Sequence, residues 1–110
     1  MNWISLDKLS QLVNIKEESY NRAQVIFKHS TKCAISSMAK SRLERNQFPK
    51  DVPFFFLDLI KHREISDTIE NEFNVDHESP QVLIIKNGAC VYDESHNGIN
   101  MDEILEQALR

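Results

Sequence analysis

The sequence predicts an α/β fold in which a central mixed four-stranded sheet is flanked by helices, in the order α-β-α-β-α-β-β-α. Three observations predict it. Segments whose apolar residues recur at helical spacing alternate with short apolar runs of strand length. The last two runs are joined by Asn87-Gly88, the strongest short-range signal for a two-residue hairpin. The 110 residues, 41% hydrophobic and 27% charged, suit one ordinary core, so residues 1–110 are read as a single domain.

From Ser5 to Glu18 an amphipathic helix is expected, with Leu6, Leu9, Val13 and Ile15 on its apolar stripe and Asp7 in its first turn, where the helix dipole favours a carboxylate. Ala23 to Lys28 reads as a buried strand. After the polar loop His29 to Cys33, a second helix follows with Ile35, Met38, Ala39 and Leu43 facing inward, ending near Phe48-Pro49. Val52 to Leu59 is a continuous, phenylalanine-rich run, as expected of a strand covered on both faces. A third helix presents Ile65, Ile69 and Phe73 and stops around Asn74. Val82 to Lys86 and Cys90 to Tyr92 form the antiparallel hairpin. Asn100 caps a last helix whose third residue is Glu103, with Ile104, Leu105 and Ala108 inward. The two early strands, each separated by a helix, are expected to be parallel.

Composition excludes several functions. Thirteen basic against 17 acidic residues give a net charge of -4, which offers no electrostatic footprint for nucleic acid or an anionic membrane. The longest apolar run, from Val52 to Ile60, is about half of a bilayer crossing and contains Pro53 and Asp58. The opening MNWISLDKLSQL has neither a basic lead nor a continuous apolar stretch, which points to a cytoplasmic chain with both cysteines reduced. The cysteines and histidines lack the paired spacing of a zinc site, so no metal is expected.

Cys33 stands where the first predicted strand passes into the second helix. Unpaired amides and the helix dipole favour negative charge there, and the thiolate is the form that attacks a disulfide. Lys32 is beside it and His29 is one short loop away. Three residues on, Ser36 keeps the spacing of a redox CxxC motif without its second sulfur. Any mixed disulfide on Cys33 would therefore be resolved by a thiol from another molecule; the ordinary use of the Ser36 hydroxyl is to satisfy a helix-start amide. Cys90 begins the return strand of the hairpin, about 26 Å from the Cys33 end at about 3.3 Å per residue, too far for a disulfide without opening the fold. It reads as an inert strand residue. Ser79-Pro80 reads as a trans loop-to-strand start, because only about 5% of such bonds are cis. The return strand brings Ser95, His96 and Asn97 back to the Cys33 end, with His96 as a solvated loop histidine within reach of a substrate.

The arrangement of elements is that of thioredoxin-like proteins, although order alone admits other small α/β folds, and two segments make the resemblance specific. FKHSTKCAISSMAKS (Phe27 to Ser41) and HESPQVLIIKNG (His77 to Gly88) resemble the monothiol bacilliredoxins of the YtxJ type over essentially the whole chain. One departure is Ala34, where these proteins usually carry proline. The resemblance implies a thiol-disulfide oxidoreductase that removes bacillithiol from mixed disulfides on client proteins. Cys33 would be the nucleophile, and bacillithiol a co-substrate with no tightly bound cofactor. Within the FKHST segment, His29, Thr31 and Lys32 would support the thiolate beside Ser36. Pro80, in a cis bond, would shape the groove and leave the Gln81 backbone free to pair with an extended substrate, and His96 would lie beside it. The protein is expected to act as a monomer. Two other readings of the same residues stay open: a redox-silent thioredoxin-like interaction module, and a glutaredoxin-like monothiol protein using another low-molecular-weight thiol.

Overall fold

A computed structural model describes residues 3–110. Along the chain it forms β1 (Trp3–Ser5), α1 (Ser10–Glu18), β2 (Gln24–His29), α2 (Ala34–Glu44), β3 (Phe54–Asp58), α3 (Arg63–Phe73), β4 (Gln81–Lys86), β5 (Ala89–Ser95) and α4 (Met101–Ala108), with a short 3-10 turn at His96–Gly98. The sheet has five strands in the order β1-β3-β2-β4-β5. β1 and β2 run parallel to β3 on either side of it, β4 is antiparallel to β2, and β5 is antiparallel to β4.

The α/β class and the mixed sheet are as expected, but the strand count is five, because Trp3–Ser5 pairs with Phe54–Phe56. This also corrects the first helix. Ser5 belongs to the sheet, and the Gln11 side chain holds the turn that follows: its Nε2 donates to the Ser5 carbonyl (2.8 Å) and its Oε1 accepts the amides of Asp7 and Lys8. Helix α1 therefore begins at Ser10, and it buries Leu12 and Ile15 while Leu9 and Val13 stay exposed. Leu6 is buried, but from the connecting loop.

Strict alternation along β2 divides the core. Val25 and Phe27 join Phe54, Val82 and Ile84 under α2 and α4, packing with Ala39, Leu43, Ile104 and Ala108. Ile26 joins Leu57, Leu83 and Ile85 on the opposite face, under Leu12, Ile15, Ile65, Ile69 and Phe73 of α1 and α3. At about 25 cal/mol per Å² of apolar surface, these two layers are the main source of stability. Helix α2 shows a second correction. Its buried face is Ser36, Ala39 and Leu43, whereas Ile35 and Met38 are 46% and 61% exposed. Helix α3 buries Ile65, Ile69 and Phe73 as expected and closes on Asn74 in the left-handed conformation (φ 59°).

The hairpin turn is of the expected kind, with positive φ at both Asn87 (54°) and Gly88 (79°). It is pinned to the end of α1, where the Gly88 amide donates to Ser19 Oγ (2.9 Å) and the Asn87 amide to the Ser19 carbonyl (2.9 Å). The positive φ favours glycine at 88, and a Cβ there would also have to push aside the exposed Tyr20 ring. In α4, Asn100 Oδ1 accepts the Glu103 amide at 2.9 Å. Replacing Asn100→Ala removes that cap and is expected to cost about 1 kcal/mol. Urea denaturation followed by the fluorescence of Trp3, the only tryptophan, measures the loss.

Candidate thiol site

The carboxyl end of β2 delivers the chain to Cys33, which has extended backbone angles (φ -115°, ψ 119°) and is the N-cap of α2. The Cys33 amide donates to the Ser30 carbonyl (3.2 Å), and the Cys33 carbonyl accepts the Ser37 amide (3.1 Å), the first bond of the helix ladder. The amides of Ala34, Ile35 and Ser36 belong to the first turn and have no acceptor within the helix. No side chain caps this turn. Cys33 is half-buried and free, and Thr31 and Lys32 beside it are exposed.

Ser36 is turned inward and fully buried. Its Oγ lies 2.7 Å from His29 Nδ1 and accepts the Ser30 amide at 3.0 Å, so the hydroxyl ties the last residues of β2 to the first turn of α2. It does not satisfy an amide of its own helix start, the use expected from sequence. His29 packs beside the rings of Phe56 (5.3 Å) and Phe27 (6.0 Å) and is 4% exposed. Burial, and next the nearby Lys40 ammonium, lower its pKa below the ordinary 6.5. The imidazole is thus neutral at pH 7. Its bond to Ser36 ties the end of β2 to the first turn of α2, and the ring brings no charge to this end.

Pro80 reaches the same end of the sheet. Lys28 is registered with Gln81, which places Pro80 level with His29. The Ser79-Pro80 bond is cis, in contrast to the trans start expected from composition. Gln81 is registered with Lys28 on one side and Ser95 on the other, so its backbone lies inside the sheet and is not free for a substrate. The chain outside the ladder at this end is Glu78 to Pro80. The buried Gln81 side chain braces that segment from beneath, donating to the Asp76 carbonyl (3.0 Å). The His96 amide donates to the Pro80 carbonyl (3.2 Å), and its exposed ring lies 3.8 Å from the Glu78 carboxylate.

Cys90 is registered with Ile85 towards the opposite end of the hairpin. Its thiol is pushed up to about 11 by burial and donates to the Tyr92 carbonyl (3.3 Å), which makes it a poor nucleophile at neutral pH. Two residues absent from the sequence reading contribute to this end. Arg42 donates to the carbonyls of His96 and Ile99, tying α2 to the segment after β5. Lys28, placed by the sequence only as the last residue of a buried strand, is 0% exposed on the α3 face. Among the described residues, no group of three His, Cys, Asp or Glu side chains is placed to hold a metal ion.

The comparisons with known proteins agree with this geometry. A solved structure described as a candidate oxidoreductase with a thioredoxin fold is 32% identical, with a TM-score of 0.84, over 99% of this chain and 95% of that one. Mitochondrial thioredoxin 3 from Saccharomyces cerevisiae is 19% identical with a TM-score of 0.72, over 96% of this chain and 92% of its own. Thioredoxin from Fasciola hepatica is 20% identical with a TM-score of 0.71, over 96% of both chains. The latter two show the fold alone. The family described as monothiol bacilliredoxin BrxC matches residues 4–104. The fold is that of thioredoxin, the function is thiol-disulfide redox chemistry, and the chain belongs to the monothiol bacilliredoxin family.

Proposed function

We propose that the protein removes bacillithiol from mixed disulfides on client proteins through Cys33. One observation carries this reading: Cys33 caps the open first turn of α2, while the position of a resolving thiol holds a serine locked inward against His29. The Cys33 thiolate attacks the bacillithiol sulfur of the mixed disulfide, the client sulfur leaves as a thiolate and takes a proton from solvent, and Cys33 becomes bacillithiolated. The thiolate of a second bacillithiol then attacks that sulfur. Cys33 is regenerated and bacillithiol disulfide is released, with no net change in electrons.

Thr31 and Lys32 flank the entry to Cys33, and Lys32 offers a cation to the carboxylates of bacillithiol. Ile35 and Met38, exposed beside the cysteine, give a protein client apolar surface to meet. Its extended backbone would run along Ser79-Pro80, with His96 at the rim. We further assign the protein to the cytoplasm as a monomer; no helix among the described residues is long and apolar enough to cross a membrane.

The test is intact-mass analysis after mixing the protein with a bacillithiolated peptide, followed by addition of free bacillithiol. One bacillithiol is expected on wild type and on Cys90→Ser, cleared by the second addition, and none on Cys33→Ser. Absence of transfer to wild type, or equal transfer to Cys33→Ser, overturns the reading.

A further inference from the structure

The side chain of Lys28 is 0% exposed, and its ammonium has no hydrogen-bond partner among the described residues. An unpaired buried charge is expensive, and the cost is usually avoided by pairing it or replacing it with an apolar residue. The charges around it are specific. Asp67 and Glu70 from α3 and Glu78 from the segment between α3 and β4 act on Lys28, and His77 lies close enough to feel its charge. Arg63 also acts on His77. Its cross-strand neighbours, Leu57 of β3 and Gln81 of β4, are uncharged.

These groups converge on the segment that ends in Pro80. The His77 amide donates to Glu70 Oε2 (2.8 Å), Gln81 Nε2 to the Asp76 carbonyl (3.0 Å), and the Glu78 amide faces Gln81 Oε1 (3.4 Å). The Ser79 hydroxyl is buried there and also lacks a partner. Glu70 is half-buried while Asp67 and Glu78 are exposed, so their mutual repulsion around this segment is partly screened by water. Among the described residues, Lys28 is the buried lysine or arginine, and all three carboxylates act on its ammonium.

We propose that Lys28 is a positioning residue for the client-binding edge: its buried ammonium holds residues 76–80 against β2, and so sets the line of Ser79-Pro80 along which an extended client lies. The role rests on the debacillithiolation reading for its client but not for its structural part. Burial brings the amine down to about 8, so the hold weakens as pH rises through that value. Arginine at this position would not titrate there.

The experiment compares wild type, Lys28→Met and Lys28→Arg with a bacillithiolated peptide across pH 6.5 to 9, with Cys33 alkylation by iodoacetamide and amide hydrogen exchange of residues 76–81 measured on the same samples. Lys28→Met is expected to raise KM on the order of tenfold at neutral pH with little change in kcat. It should also speed exchange in residues 76–81 and leave the Cys33 alkylation rate unchanged. Wild-type KM should climb towards the Lys28→Met value as pH rises, and Lys28→Arg should keep a flat, low KM; should arginine fail to fit, Lys28→Met decides alone. Unchanged KM and exchange in Lys28→Met overturn the proposal, as does an altered alkylation rate, which would place the action of Lys28 on the thiol itself. If wild type does not turn over the peptide yet exchange responds to Lys28→Met, the positioning role stands and the bacillithiol reading fails.

Discussion

Ser36→Ala is expected to destabilise the protein by about 3 kcal/mol, although it deletes a single oxygen. The hydroxyl is the only partner that His29 Nδ1 has among the described residues, and it also takes the Ser30 amide. Alanine fits the space but leaves a buried ring nitrogen and a partly buried amide unsatisfied, each costing about 1–3 kcal/mol. His29→Phe offers the control. The ring lies between Phe27 and Phe56, so a phenyl group suits the site, and in the double variant His29→Phe/Ser36→Ala one of the two orphaned groups disappears. Urea denaturation should show the double variant less destabilised than the sum of the singles by at least about 1 kcal/mol. Additive losses would mean that the bond contributes nothing. The same histidine gives a pH signature. Its folded pKa is lowered from 6.5, so the unfolded chain takes up the proton more readily on acidification. The stability it contributes is complete above pH 6.5 and is lost as pH falls below it, a loss that His29→Phe should flatten.

Lys28→Met should have the opposite sign. The folded amine gives up its proton near 8 and the unfolded one near 10.5. Between those values the unfolded chain holds the extra proton, so stability rises with pH across that window and the cost of the buried ammonium is complete below it. Methionine keeps most of the volume without the charge. At pH 7 it is expected to stabilise the fold by about 2 kcal/mol, allowing for relaxation around the charge. Most of that gain should be gone by pH 10, where the folded wild-type amine is neutral and the unfolded one is only beginning to lose its proton. Denaturation curves at the two pH values separate this from a simple packing effect, which would persist at both. A stabilised variant with weakened client binding would be the usual signature of a residue retained for function rather than for stability.

Where the sequence was legible, local chemistry and periodicity agreed with the tertiary result. Asn87-Gly88 needs two positive φ angles and has them; Asn100 and Glu103 form their cap; Ile65, Ile69 and Phe73 face the core because every third or fourth position of α3 is apolar. Where it misled, two patterns competed. In α2, Ile35 and Met38 make as good an apolar stripe as any, but the buried residue is Ser36, because partners on β2 satisfy its hydroxyl and release the hydrophobic pair to the surface beside Cys33. In α1, Ile15 is buried as expected, but once Ser5 was drawn into a strand Leu12 took the place beside it that Leu9 and Val13 were expected to fill. A three-residue strand has too few positions to show an alternation, and its pairing depends on Phe54–Phe56, some fifty residues away.

For the site, the sequence by itself determined the place of Cys33 at a helix start, the missing second sulfur and the hairpin that carries Cys90 away from Cys33, since all three follow from residue type, spacing and turn chemistry. Only the tertiary structure decided that His29 is turned inward and uncharged, that the Gln81 backbone is enclosed while Ser79-Pro80 lies outside the ladder, and that Lys28 is a buried cation. The physical reason is common to all three. Whether a polar group is solvated, bonded or stranded depends on what the rest of the chain packs against it, and for these residues the deciding neighbours, Phe56, Ser95, Glu70 and Glu78, come from elements remote in sequence.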